Sequence, residues 1–330
     1  MNTIDFHAHI VPAQYPLRPD GVAEPAWPSM EQLDDHSSRM LIGGKPYRVF
    51  ESFYWHVEQR IEQMDRNGVA LEVLSPLPEL LSYWLEPQAA AVLCEYMNGV
   101  IGDMVRRAPT RFAGLGAVAL QDIPCAIRQL ELLQGEHGLK GVHLGSNING
   151  ISLADPAFHP FFEAAEDAGL VLLVHGIKPG GLDRLPGSPL MGPVIGVPHE
   201  TTSVIASFIM ADILGKFPGL KLVFSHAGGG IGAVLGRFDM VWRKFEVMRV
   251  NGDVPPREYA QRFWYDTVTF SPEYLGFMVQ MLGAERFVAG TDGPTEIGQK
   301  DLPGFLRQAG LSADERKMIS CDNATELLAL

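Results

Sequence analysis

The sequence predicts an α/β protein, a distorted (β/α)8 TIM barrel, and three observations carry that expectation. Short apolar runs recur eight times along the 330 residues, separated by stretches of helical period. Runs such as Val171-Leu172-Leu173-Val174 and Leu222-Val223-Phe224 are apolar at successive positions, as strands buried on both faces of a parallel sheet are. Ligand-capable side chains stand at the carboxyl ends of four runs, where barrel enzymes collect their chemistry. The rival doubly wound sheet would carry a Gly-x-Gly-x-x-Gly turn after an early strand, and none follows.

The first strand is expected over Thr3–His9 and ends on His7 and His9. Residues i and i+2 share a strand face, so both imidazoles can point into the barrel, a spacing that suits a borderline divalent ion such as zinc. The plain alternative is one packed histidine and one solvated one. Val11–Phe50 is rich in Pro, Gly and polar residues and exceeds the ~2–6 residues of a bare strand-to-helix loop. It reads as a lid-like insertion (11–50) over the barrel mouth, within one domain spanning 1–330.

Further strands are expected at Ala70–Pro76, Phe112–Leu120, Leu139–Gly145, Leu170–Gly176, Leu220–Ala227, Arg262–Val268 and Arg286–Asp292. Helices are expected at Glu51–Arg66, Pro87–Arg107, Asp122–Gln134, Pro156–Ala168, Glu200–Lys216 and Ile231–Val250. Asp122 and Asp155 suit N-caps, the latter with Pro156 at the first helical position. Pro179–Pro198, full of Gly and Pro, reads as a second mouth loop.

Composition narrows the function. Lys+Arg 26 against Asp+Glu 39 gives a net charge of −13, which argues against nucleic acid and anionic membrane as partners. Three cysteines without a Cys-x-x-Cys pair exclude a disulfide framework and a cysteine zinc site, and suit a reducing compartment. The amino terminus lacks the basic and apolar regions of a signal peptide. No apolar run is expected to reach the ~20 residues of a membrane span, so a cytoplasmic location is expected.

His175 closes the fifth run, His226 the sixth and Asp292 the eighth. Any one histidine alone is more readily a packed core residue. Four such strand ends together make an active site the better reading.

The segments IDFHAHIVP, LVLLVHG, KLVFSHAGGG and VAGTDGP, in this order, resemble the amidohydrolase superfamily, and more narrowly its aminocarboxymuconate-semialdehyde decarboxylase-like branch. GKPYRVF, RIEQMDRNGV and PPREYAQRFWYDT extend the resemblance over nearly the whole chain. It implies that His7, His9, His175 and Asp292 hold one zinc per chain, another divalent transition metal being the alternative. It implies that His226 is the general base on a zinc-bound water, with zinc-bound hydroxide as the reactive species. On the fourth strand Lys140 stands too early for a bridging lysine, which implies a single metal; His143 faces the site as a substrate donor or packs behind it. Arg48 matches an arginine that holds a substrate carboxylate. Arg237 matches one that reaches a neighbouring subunit's site, implying a homodimer with shared active sites. The expected activity is decarboxylation of an unsaturated or aromatic carboxylic acid, with a hydrolase or hydratase of a ring-cleavage product or lactone as the runner-up.

Two departures alter the expected pocket. Gly293-Pro294-Thr295 follows Asp292 where the branch has an aromatic-proline pair, and the loop after His175 lacks its aromatic and methionine residues. Lys178 and Arg184 there add anion contacts. Gly228-Gly229-Gly230 lacks the Lys-Ser/Thr of a phosphate loop and reads as a close backbone approach. Glu200 reads as a structural first-turn residue of a helix.

Overall fold

The computed structural model describes residues 3–19, 27–187, 190–249 and 254–330. Residues 20–26 of the expected insertion, 188–189 of the Pro179–Pro198 loop and Val250 of the expected sixth helix lie outside that set. In chain order the strands are β1 (Thr3–Ile10), β2 (Pro28–Gln32), β3 (Ser37–Ile42), β4 (Lys45–Glu51), β5 (Val69–Pro76), β6 (Phe112–Gly116), β7 (Gly141–Gly145), β8 (Asn147–Ile148), β9 (Ile151–Ser152), β10 (Val171–His175), β11 (Lys221–Phe224) and β12 (Trp264–Tyr265).

Seven of these form one parallel sheet in the order β1-β5-β6-β7-β10-β11-β12. The run expected as an eighth strand, Arg286–Asp292, makes no ladder of its own and is corrected to an irregular segment. It nevertheless bonds to both sheet edges. Val288 N–H donates to Tyr265 O (2.9 Å) on one side; Phe6 N–H donates to Ala289 O (2.7 Å) and Asp292 N–H to His7 O (2.9 Å) on the other. The barrel closes there.

Ile4, Phe6, Val73, Ala113, Leu115, Val171, Leu173, Val223 and Val288 form one buried apolar cluster, joined by Ala324, Leu327 and Leu328 of the C-terminal helix. The alternate residues Leu74, Leu172, Val174, Leu222 and Phe224 belong to a second cluster with helix residues such as Ile205 and Phe208. Both strand faces are therefore buried, which is why the runs carry no alternation.

Helix boundaries follow local chemistry. Pro87–Arg107 begins on its proline, and Asp122 and Asp155 accept from Cys125 N and Ala157 N as N-caps. The expected Glu200–Lys216 helix runs instead from Val197 to Ala211, turns at Asp212 in a left-handed conformation and resumes at Ile213–Lys216. Phe112–Leu120 ends as a strand at Gly116, because buried amides take over its backbone groups. Asn98 holds both Ala117 N–H (2.8 Å) and Ala117 O (2.9 Å), and Gln129 accepts from Ala119 N–H (2.8 Å).

Gly192–Ala211, 20 residues whose most apolar 18-residue window has a mean hydropathy of 1.3, is long and apolar enough by composition to cross a membrane, which corrects the expectation that no stretch is. In the fold its Thr201, Val204, Ile205, Phe208 and Ile209 are buried against the barrel.

Between β1 and the first long helix, Val57–Asn67, strands β2, β3 and β4 form an antiparallel sheet. Gly43-Gly44, with φ of 58° and 74°, makes the two-residue turn between β3 and β4. This sheet carries Ile42, Tyr47 and Arg48 to the wall of the cavity described next.

Candidate metal centre

At the carboxyl ends of the barrel strands lies a cavity of about 680 Å³. Its walls are mostly apolar, including Leu77, Trp84, Val194, Val268 and Phe270, and His9, His175, His226 and Asp292 also line it. His7, His9, His175 and Asp292 are all buried, and one ligand atom from each lies within 4.8 Å of the others.

The imidazole tautomers follow from their partners. His7 Nδ1 stands 2.5 Å from the Asp266 carboxylate, and His175 Nδ1 2.9 Å from Gly176 O, acceptors that require an N–H. His9 Nδ1 meets Ser75 Oγ at 3.2 Å, and that hydroxyl donates to Ala8 O at 3.1 Å, so it too accepts from His9. All three Nε2 atoms then carry lone pairs able to bind a metal. His7 Nε2 and His9 Nε2 stand 3.0 Å apart, with Asp292 Oδ1 3.5 Å and 3.1 Å from them. Two lone pairs that close demand a positive charge. Bonds of ~2.0–2.1 Å at a tetrahedral angle give edges of about 3.3 Å, so the spacing and donor set fit a transition-metal cation.

Electrostatics support the same donors. Burial holds His9 and His226 below the usual histidine range and His175 well below it, so these rings are neutral near pH 7. Burial alone would raise the Asp292 carboxyl, but its hydrogen bond with His9 and the surrounding imidazoles bring it to about 2. Burial opposes a proton on His7, yet Asp266 and Asp292 beside it raise its pKa.

His226 is not in the ligand cluster. Its Nε2 stands 4.0 Å from Asp292 Oδ2, and its Nδ1 contacts Ser225 Oγ at 3.2 Å. The expected strand Leu220–Ala227 stops at Phe224 because Asp266 accepts from His226 N (2.9 Å) and Ala227 N (2.8 Å), turning the chain out of the sheet. His226 and Ala227 take φ of 55° and 48°, and Asp292 takes 60°. Left-handed backbone in non-glycine residues costs of order 1–3 kcal/mol each and persists where surrounding bonds impose it. Gly229 is required nearby, since a Cβ there would lie 2.1 Å from Pro198 O.

Two residues beneath the cluster escaped the sequence reading. Asp266 orients His7 and the His226 turn together. Arg60, fully buried, donates through Nε to Glu72 (2.5 Å) and through Nη1 to His9 O (2.9 Å). Both lie in noted motifs, PPREYAQRFWYDT and RIEQMDRNGV, but nothing local in either marks a side chain aimed at a distant histidine.

The other expected residues divide. Arg48 lines the cavity, with its guanidinium 5.8 Å from the Phe50 ring centre and no hydrogen bond or ion pair among the described residues. Lys178 lines it as well, while Arg184 and His199 are exposed and outside the lining set. His143 sits opposite Leu173 in register, one layer below His175, stacked on His9 with ring centres 5.6 Å apart. It donates from Nδ1 to Pro76 O (3.0 Å) and is absent from the lining, a placement that supports the packed alternative over the substrate donor. Glu200 is structural: it accepts from Ser146 Oγ, Asn147 Nδ2 and Gly180 N. Arg237 is exposed on helix Ile231–Lys244 and does not reach its own cavity.

Comparison with known proteins agrees with this geometry. The model of a family described as amidohydrolase matches residues 4–330. The chain is 33% identical over 330 residues to 2-amino-3-carboxymuconate-6-semialdehyde decarboxylase of Dictyostelium discoideum, covering 99% of this chain and 91% of that protein. Among solved structures, the apo form of Metarhizium anisopliae IDCase superposes with a TM-score of 0.83 at 21% identity, over 99% of this chain and 97% of that one. A dihydroxybenzoic acid decarboxylase from a Polaromonas species, with bound manganese and 2-nitroresorcinol, superposes at 0.78 and 20% identity, over 100% and 98%.

Proposed function

The chain belongs to the amidohydrolase family, in its decarboxylase branch, and on that premise we propose that it is a metal-dependent decarboxylase of an unsaturated or aromatic carboxylic acid. One observation carries the reading: three Nε2 lone pairs and the Asp292 carboxylate converge on the wall of an apolar cavity that also holds a neutral imidazole and a guanidinium with no ion pair among the described residues. His7, His9, His175 and Asp292 would hold the cation. We assign zinc, one per chain, because three imidazoles and a carboxylate suit it, with manganese as the competing ion. When bound, the cation supplies Lewis-acid charge against the negative charge that builds as carbon dioxide departs.

The chain's own residues do the rest. Loss of carbon dioxide leaves an electron pair on carbon, and a proton must replace the departing carboxylate. His226 Nε2, neutral and facing the cavity, takes up and delivers that proton. Arg48 pairs with a carboxylate and fixes its orientation through two parallel N–H donors. The apolar walls exclude water, which strengthens every charge interaction inside. The sheet of β2, β3 and β4 acts as the lid that brings Arg48 to the substrate. We assign Arg237 to the site of a second copy in a two-fold homodimer, a role supported by its exposure and by its absence from the lining of its own cavity.

The test is to load the protein with zinc or manganese, supply muconate semialdehydes and hydroxybenzoates, and record released carbon dioxide. His226→Ala should keep the metal and lose ~10²–10⁴-fold in rate. Silence across the whole panel refutes the decarboxylase reading, and full activity in His226→Ala refutes the assigned proton carrier.

A further inference from the structure

Lys178 stands three residues after the ligand His175, in a loop pinned on both sides. Ile177 N donates to Ser146 Oγ (3.2 Å), Ile177 O accepts from Asn147 Nδ2 (2.9 Å), and Gly180 N donates to Glu200 Oε1 (3.2 Å). Within this frame Lys178 adopts a φ of 42°, a strained conformation for a residue with a Cβ. The loop follows β10, yet Nζ lies 4.4 Å from the ring centre of Trp84, which belongs to the segment after β5. Two strands of the barrel, β6 and β7, lie between those positions, so the side chain reaches over the mouth.

Both Lys178 and Trp84 line the cavity. Among the described residues the ammonium has no hydrogen bond and no ion pair, and it rests on the Trp84 ring. Of the other charged groups on the wall, Glu79 is engaged by Tyr47 Oη (2.9 Å), Arg48 comes from β4, and Glu296 and Asp292 come from the segment that closes the barrel. Burial pulls the Lys178 pKa down, the signature of an ammonium short of solvent. A cation fixed by an anchored, strained loop, resting on an aromatic face and short of counter-charge is prepared to receive an anion.

We propose that Lys178, on its Trp84 platform, is a specificity-determining residue that binds a second carboxylate of the substrate, distinct from the one Arg48 holds. The inference rests on the decarboxylase reading for the identity of the reaction, though not for the anion subsite itself. It names the preferred class as diacids, one carboxylate at Arg48 or the metal and the other at Lys178 Nζ.

Binding separates the two claims. Isothermal titration of the metal-loaded protein with benzoate and with isophthalate reads the subsite without turnover. A charge-assisted hydrogen bond in a partly open site should favour isophthalate by roughly tenfold. Lys178→Met should bring the isophthalate-to-benzoate ratio close to one, and Lys178→Arg should keep most of the preference. Melting curves of both variants check the fold. A ratio in Lys178→Met equal to that of the parent overturns the proposal, as does a parent chain that binds both acids equally. If the ratio collapses while no acid releases carbon dioxide, the subsite stands and the decarboxylase reading falls. If carbon dioxide is released and the ratio does not move, the reverse holds.

Discussion

Asp266→Asn tests whether the metal centre depends on a carboxylate that cannot touch the metal. Asp266 accepts four hydrogen bonds: Oδ2 from His7 Nδ1 (2.5 Å) and His226 N (2.9 Å), Oδ1 from Ala227 N (2.8 Å) and Val268 N (3.0 Å). In the asparagine variant the amide oxygen can keep the pair at Oδ1, and the amide nitrogen then faces two donors. The backbone N–H of His226 cannot change. His7 can, by moving its proton to Nε2 so that Nδ1 accepts, and that removes one of the converging lone pairs. Metal affinity should fall ~10–100-fold, the range for loss of a carboxylate behind a ligating histidine. The stranded His226 N–H should lower metal-free stability by about 1–3 kcal/mol. Competition against a chromogenic zinc chelator measures the first effect, and urea unfolding with chelator present measures the second. An Asp266→Asn protein that folds normally and holds zinc as tightly as the parent would refute the tautomer argument.

Arg60→Met leaves the Glu72 carboxylate and His9 O without their buried partner, and should cost about 3–5 kcal/mol in urea unfolding; a loss under ~1 kcal/mol, the scale of a surface pair, would contradict the buried role. His175→Ala should lose most of a metal content of about one per chain by elemental analysis, since a structural or catalytic site needs all its protein ligands. Metal-free protein should lose stability as the pH falls from 6.5 to 5.5. Burial holds His9, His143, His175 and His226 below the ordinary histidine value of 6.5, so the unfolded chain takes up these protons ahead of the folded one. Asp5, raised to about 7, and His7, also raised, bind more protons folded and oppose the trend. The lowered histidines outnumber the opposing groups, so the melting temperature in chelator should fall across that window; a flat profile would remove the buried neutral histidines from the account. Mixing Arg237→Ala with His226→Ala chains should restore activity if each site borrows Arg237 from its neighbour, because one site of the mixed dimer carries neither lesion. Full activity of Arg237→Ala alone would end that model.

The legible parts of this protein were those written locally. Unbroken apolar runs mark strands buried on both faces, and His7-x-His9, His175, His226 and Asp292 each close an expected run, so the candidate site residues could be read one run at a time, while the division into metal ligands and base came from the family resemblance. Proline and aspartate at helix starts act within one turn, which is why Pro87–Arg107 was bounded correctly. Gly43-Gly44 was an equally local hairpin signal, and the Val11–Phe50 stretch was treated as an insertion without its strands.

What needed the tertiary structure were relations between distant positions. Asp266 meets His7 across 259 residues, and Arg60 meets His9 O across 51. No pattern within a window shows which of several carboxylates or guanidiniums will be buried behind an imidazole. Strand ends were also overrun, at 116 and 224, because Asn98, Gln129 and Asp266 take backbone groups that a neighbouring strand would otherwise hold. The depth of His143 depended on register: paired with Leu173 rather than His175, it lies a layer too low to line the cavity. Periodicity tells which face a side chain takes, since that is a property of one strand. How high it stands in the barrel, and what charge it meets there, is set by the stagger of every strand against its neighbours, and only the closed fold contains that information.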